Sequence, residues 1–315
     1  MNDLNPKYEP MKTFHLVLFI FLLSFAVTGY SQTSKEYFDR GITNYNNQDF
    51  KGAIANFTNV IQINPKDAAA FYWRGLVKFT LNDYSESIVD FTMTIEIDPM
   101  DVAAYYFRGI AKNNLKDYNS AISDFNNSIK IDSTNAEAYF DRGHAKYYLQ
   151  NYKGAIADYT KSIEIDPKNA VVYYDRGQAR KHLDDSNGAI ADYSIAIEIN
   201  PKDAVAYFDR GTLKFILEDY SAAISDYTQV IEINPNNASA YGLRGDAKRN
   251  LGDYEGAIAD YTKTIEIGTK IAPAYYGRGL LKILLSQKES GCLDLSKASE
   301  LGYQKANEAI RQYCQ

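Results

Sequence analysis

Residues 136–169 read AEAYFDRGHAKYYLQNYKGAIADYTKSIEIDPKN, and nearly all of the remaining chain is another version of this stretch. Its Gly143 recurs as Gly41, Gly75, Gly109, Gly177, Gly211, Gly245 and Gly279, always 34 residues apart, with no insertion or deletion. A fixed period of that length is the mark of supersecondary units that stack on one another to share a continuous core. At 315 residues the expectation is therefore one elongated domain of eight units rather than a pair of globular ones.

Each unit reads as two amphipathic helices, since apolar residues recur three and four apart. In the quoted unit they run from about Ala136 to Leu149 and from about Lys153 to Ile165. Asn151 stands where the second helix needs an N-cap, and Asp49, Asp83, Asp117, Asp185, Asp219 and Asp253 stand at the equivalent places. Pro167, with no amide to donate, stops the second helix, and Asn169 caps the next one.

With Ala136 taken as position 1, an aromatic occupies position 4 in every unit (Tyr37, Phe71, Tyr105, Tyr139, Tyr173, Tyr207, Tyr241, Tyr275). Gly occupies position 8. Position 20 is Ala53, Ala121, Ala155, Ala189, Ala223 and Ala257, with Ser87 and Gly291 as exceptions; position 24 is aromatic from Phe57 to Tyr261, with Leu295 last. On these motifs, over residues 34–302, the chain resembles the tetratricopeptide repeat family. The resemblance implies an all-α, right-handed solenoid of eight stacked helix-turn-helix units. It also implies that positions 2, 5, 6, 9, 12 and 13 of the first helices line a concave groove. Residues 303–315, with Ala306, Ala309 and Ile310 on one side, suit a C-terminal capping helix whose outer face is polar.

Two departures from the family pattern are informative. Position 7 is Arg in all eight units, and position 11 is Lys or Arg in all but the first. Position 23 is Asp in all but the first, where Asn44 and Asn56 replace both ends together. That joint loss predicts a contact across the hairpin, in which Arg142 and Lys146, one turn apart, bracket the Asp158 carboxylate as a structural ion pair. The family's carboxylate clamp of Lys and Asn does not carry over, because positions 5 and 9 offer aromatics and Ile42, Leu76 or Ile110.

Composition narrows the function. With 34 basic against 40 acidic residues, a net charge of −6 and no basic cluster, nucleic acid is not an expected partner. Of three histidines, His15 lies near the amino terminus, and His144 and His182 fall at positions 9 and 13. No pair has zinc-ligand spacing and no glycine-rich phosphate loop occurs, so no catalytic residue, cofactor or metal is expected. The two cysteines, Cys292 and Cys314, both sit in the last unit and cap, as a disulfide or as two buried thiols.

The apolar run from Phe14 to Val27 is too short to span a bilayer comfortably and suits a signal peptide occupying residues 1–31, with translation from Met11 giving the better leader and cleavage near Ser31. The repeats would then lie outside the cytoplasm, with membrane attachment only through an uncleaved segment.

The expected partner surface is aromatic. Position 5 supplies Tyr72, Tyr106, Phe140 and Tyr174, position 6 supplies Trp73 and Phe107, and Phe79, His144, Tyr147 and Tyr148 complete the candidate groove. Tyr and Trp give large contact areas with few rotors to freeze. At position 6, Asp39, Asp141, Asp175 and Asp209 predict an acidic middle. The function expected is a non-enzymatic scaffold for a peptide or helix of a protein partner. The alternatives are a glycan-binding or envelope-polysaccharide accessory, since rings also stack on sugars, and a structural subunit docking by its convex face.

Overall fold

The computed structural model describes residues 33–268 and 271–315; the signal-peptide reading of residues 1–31, with Met11 and the Ser31 cleavage site, lies outside them. Among the described residues there are seventeen helices and no strand. They are α1 (33–46), α2 (Phe50–Ile63), α3 (Ala68–Thr80), α4 (Tyr84–Ile97), α5 (Val102–Asn114), α6 (Tyr118–Ile131), α7 (Ala136–Tyr148), α8 (Tyr152–Ile165) and α9 (Ala170–Lys181). There follow α10 (Ser186–Ile199), α11 (Ala204–Ile216), α12 (Tyr220–Ile233), α13 (Ala238–Asn250), α14 (Tyr254–Ile267), α15 (Ala272–Leu284), α16 (Lys288–Glu300) and α17 (Lys305–Tyr313). None is long and apolar enough to cross a membrane. The single domain expected from the repeat pattern divides into two compact units, one ending at Leu149 (α1–α7) and one beginning at Gln150 (α8–α17). Within each, every helix packs on its successor, and a chain of nearest-neighbour contacts can be cut between units where a globular core cannot.

The turn inside a hairpin takes three residues, or four between α9 and α10. After α3, the N–H of Asn82 donates to the Phe79 carbonyl and that of Asp83 to the Lys78 carbonyl, the two bonds of a Schellman ending. Asp83 then caps α4 by accepting from Glu86 N–H, so one residue closes one helix and opens the next. The residue between must be left-handed: Asn82, Lys116 and Glu218 hold φ near 60°, and only Gly252 meets the requirement without a Cβ penalty. Between hairpins, Asp98 and its equivalents accept from the amide two residues on, and Asp101 caps α5.

The hairpin seam is built from small and aromatic residues. Ala70, Ala104, Ala138 and Ala206 at position 3 are fully buried, as are Ala53, Ala121, Ala155 and Ala223 at position 20. Position 24 fills the wedge with Phe57, Phe91, Phe125, Tyr193 and Tyr227, all fully buried. A Cβ built on Gly177 would come within 2.6 Å of the Tyr193 ring, so position 8 is glycine because the opposing aromatic leaves no room for more.

The contact expected across the hairpin is present at equivalent positions of other repeats, and it is larger than a pair. In the sixth unit Arg210 grips both Asp226 oxygens, Nε to Oδ2 at 3.0 Å and Nη2 to Oδ1 at 2.6 Å, while Lys214 Nζ reaches Oδ2 at 2.8 Å. The remaining Arg210 nitrogen, Nη1, donates to Ser194 Oγ of the preceding unit at 2.9 Å, and the guanidinium lies 5.5 Å from the Tyr207 ring centroid. The same arrangement joins Arg74, Asp90, Lys78 and Thr58; Arg108, Asp124, Lys112 and Thr92; and Arg278, Asp294, Lys282 and Thr262. In the fourth unit Asp158 is buried, and Arg142 donates to Asn126 Oδ1 at 2.7 Å and lies over Tyr139. The first unit, lacking the aspartate, uses its residues locally: Asn44 donates to the Asp49 cap and Asn56 to the Gly52 carbonyl.

At the carboxyl end α17 lays Ala306 and Ala309 against α16 and turns Lys305, Glu308 and Arg311 outward, as a cap requires. Of the two readings of the cysteines, the disulfide is the one observed: Cys292 and Cys314 are bonded, with a Cα–Cα distance of 5.7 Å. Closing that loop stabilises the cap by about 3 kcal/mol in the chain-entropy view.

Replacing a buried, doubly paired carboxylate leaves two cations without their counter-charge. Asp226→Asn is expected to cost about 3 kcal/mol of unfolding free energy in denaturant melts. Adding Lys214→Met is expected to recover part of that loss, whereas losses that simply add would mean the two residues do not interact.

Candidate partner-binding face

With positions 3, 7, 8, 10, 11, 20, 23 and 24 committed to the hairpin, the first helices present positions 5, 6, 9 and 12 on a common face, whose chemistry differs between the two units.

In the first unit the face is a web of rings. Phe57 stacks on Trp73 at 6.3 Å and 18°, and Phe91 on Phe107 at 6.0 Å and 21°. Tyr72 bridges them, edge-on to both Trp73 and Phe107, and Phe79 meets Phe107 edge-on at 5.7 Å. Trp73 and Phe107 are therefore half-buried wedges seated on the buried ring of the preceding hairpin, with part of each ring left on the face. Tyr106 lies edge-on to Phe107 and carries the face on towards α7. There Phe140, His144, Tyr147 and Tyr148 form a second group, with Tyr148 half-exposed and stacked on Tyr118 at 5.2 Å. Burial lowers the His144 pKa, favouring the neutral imidazole.

Between neighbouring units, position 5 reaches position 6 of the next. The Tyr106 hydroxyl donates to Asp141 Oδ2 at 2.9 Å, with Glu137 Oε2 at 3.5 Å, and the Tyr174 hydroxyl donates to Asp209 Oδ2 at 2.7 Å. Burial pushes the Asp141 carboxyl up to about 6, with the nearby Glu137 adding to the shift and the Tyr106 hydrogen bond opposing it. Burial likewise pushes Asp175 up to about 6. Of the position-6 aspartates, Asp141 and Asp175 hold their protons more tightly than a free carboxyl, and Asp141 and Asp209 accept tyrosine hydroxyls.

In the second unit the core itself surfaces through hydrogen bonds. The Tyr193 hydroxyl donates to Gln178 Oε1 at 3.0 Å, and Gln178 Nε2 donates to Asp209 Oδ2 at 2.9 Å. Tyr227 donates to Thr212 and Tyr261 to Asp246 Oδ1, at 3.4 and 2.7 Å. A buried hydroxyl needs a partner, and in these three hairpins position 9 supplies it. Where position 24 is Phe57, Phe91 or Phe125, position 9 is Ile42, Leu76 or Ile110; where it is tyrosine, position 9 is His144, Gln178, Thr212 or Asp246; where it is Leu295, position 9 is Leu280. Comparing the two columns would have revealed this coupling, but read singly, position 9 looked like a free groove position. Among the described residues no group of His, Cys, Asp and Glu could hold a metal ion.

Tetratricopeptide repeat models match residues 38–92, 102–135, 170–203 and 204–237, and a TPR repeat model matches 143–184. The chain belongs to the tetratricopeptide repeat family. The solved structures similar to these repeats include the C-terminal part of a TPR repeat-containing protein from Cytophaga hutchinsonii, at 18% identity and TM-score 0.65 over 76% of this chain and 98% of that one. YrrB, described as a TPR protein with an unusual peptide-binding site, aligns at 23% identity and TM-score 0.54 over 58% of this chain and 95% of that one. A MamA protein aligns at 24% and 0.53, over 55% and 95%. At these identities the likeness is one of fold. A search of curated protein sequences gives no match.

Asp141 also makes the tetratricopeptide stack pH-sensitive. Its folded pKa, about 6, lies above the ordinary 3.8; the folded chain therefore holds this proton more tightly, and the associated stability is full below 3.8 and lost as pH rises through 6. The melting temperature of Asp141→Asn is expected to fall less than that of the parent between pH 4 and 6.5, a window bracketing that shift. Parallel pH profiles would contradict the assignment.

Proposed function

We propose that the chain is a non-catalytic scaffold that receives an extended or helical segment of a partner protein on the first-helix face, outside the cytoplasm. Tetratricopeptide repeat proteins bind protein or peptide partners, and one observation carries the finer reading here. Internal partners saturate the residues that build the hairpins, whereas Tyr72, Tyr106, Phe140, Tyr174, Phe208 and Tyr276 at position 5 remain only half-buried on one shared face of each unit. Half-exposed rings fixed by neighbours lose little entropy on binding, and rigid aromatics of this kind dominate interface energetics. A random-peptide library selected on the purified full chain is expected to yield ligands whose affinity falls about tenfold in Tyr174→Ser, a hot-spot-sized loss. Retention on envelope polysaccharide with no peptide competition would replace this reading with the glycan one.

Support for export comes from the apolar run Phe14–Val27 and from the Cys292–Cys314 disulfide, a bond that persists in oxidising compartments. In its native host, protein alkylated at lysis is expected to leave both cysteines unlabelled and to fractionate outside the cytoplasm. Labelled cysteines in a cytoplasmic fraction would overturn the assignment.

A further inference from the structure

The ladder of rings at position 5 breaks once. Seven units carry Tyr or Phe there, and the seventh carries Gly242. The residue a ring at 242 would reach, position 6 of the next unit, is Gly277, where Asp141 and Asp209 receive the tyrosines of earlier units. Donor and acceptor of one rung are thus missing together. A cavity of about 660 Å³ opens in their place, between α13 and α15, with the Phe208 and Tyr276 rings among its walls and Tyr303 and Lys305 of the cap beside it. Its size falls in the range of sites that enclose small molecules and side chains.

The two glycines differ in cause. A Cβ on Gly277 would lie 2.9 Å from the Tyr261 ring, so packing demands glycine there. A Cβ on Gly242 would meet only Thr264, at 3.6 and 3.7 Å, which is ordinary contact. Helix packing does not require Gly242, and glycine inside a helix costs about 0.8–1 kcal/mol relative to alanine. Packing therefore accounts for Gly277 and does not account for Gly242.

The lining states what the occupant carries. Rings and the Thr264 and Ile271 side chains suit an aromatic group. Asp246 uses Oδ1 for the Tyr261 hydroxyl, and Arg249 Nη2 lies 3.4 Å from that same oxygen, so Oδ2 has no hydrogen-bond donor among the described residues. Lys305 makes no ion pair among them either and stands exposed at the rim.

We infer that this cavity is a subsite for an aromatic side chain of the partner, one bearing a hydrogen-bond donor for Asp246 and flanked by a carboxylate for Lys305. The inference rests on the proposed peptide-binding face, whose ladder the incoming ring completes. It is tested without knowing the partner. N-acetyl-L-tyrosine, which carries ring, hydroxyl and carboxylate, is titrated into the full chain by ligand-observed NMR, alongside N-acetyl-L-tyrosinamide and N-acetyl-L-leucine. Saturable binding of the first is expected, with weaker binding of the amide and none of the leucine compound.

Gly242→Phe fills the cavity from within and is expected to weaken N-acetyl-L-tyrosine binding at least about tenfold, with a melting temperature no lower than the parent's. Gly242→Ala removes glycine without filling the space and is expected to keep binding. Lys305→Gln is expected to reduce affinity about threefold, the scale of an exposed ion pair, to the level of the amide. Binding unchanged in Gly242→Phe, or equal binding of the leucine compound, overturns the subsite. Selected peptides that still depend on Tyr174 would in that case leave the broader face standing, so the two readings fail separately.

Discussion

A buried carboxylate at position 23 governs this chain. Burying Asp226 costs several kcal/mol unless opposing charge and hydrogen bonds meet it, and the chain meets it with a bidentate arginine and a lysine from the other helix of the hairpin. The donors come from fixed positions on one helix, so the two helices of a hairpin have a single register in which the carboxylate is satisfied. The spare guanidinium nitrogen then reaches back to Ser194 or its equivalents, which ties the register of each hairpin to its predecessor. Hydrophobic wedges at position 24 supply most of the driving force, but they are non-directional; the clamp supplies direction.

The clamp also divides the residues into two populations. Arg, Lys and Asp at positions 7, 11 and 23 are consumed internally, and the stack therefore shows few free charges along the first helices despite its abundance of them. Positions 5, 6 and 9, which vary from unit to unit, acquire two different faces from simple local choices. Phenylalanine at position 24 permits aliphatic neighbours and ring stacking, as with Phe57 and Trp73. Tyrosine brings a hydroxyl into the core that must be answered, and Gln178, Thr212 and Asp246 answer it. One oxygen atom per repeat converts an apolar face into a hydrogen-bonded one.

Much of this was legible beforehand. The 34-residue period, the glycine opposite an aromatic and the joint replacement of cation and aspartate by Asn44 and Asn56 gave the hairpins, their caps and the Arg–Asp contact. The environments of Trp73 and Phe107 were not legible. Periodicity assigns them to the same face as Asp141, yet a ring at position 6 folds down onto the preceding core while a carboxylate there receives a tyrosine hydroxyl. Helical periodicity reports direction from the axis, whereas burial depends on the size of what lies one unit away. The serine, threonine and asparagine at position 25 escaped notice for a similar reason: Arg210 meets Ser194 sixteen residues back, across a unit boundary.

The sequence by itself determined the repeat, the all-helical class, the caps and the clamp, because each depends on residues a fixed distance apart within one unit or on a pattern repeated eight times. Tertiary structure alone decided which aromatics are wedges and which carboxylates are pushed towards neutrality. It also chose the disulfide over free thiols, since that turns on whether Cys292 and Cys314 approach within bonding distance. The sequence shows Gly242 only as a missing ring. That the gap is a cavity rather than a collapse follows from the rigid helices on either side, which cannot close over a deleted side chain.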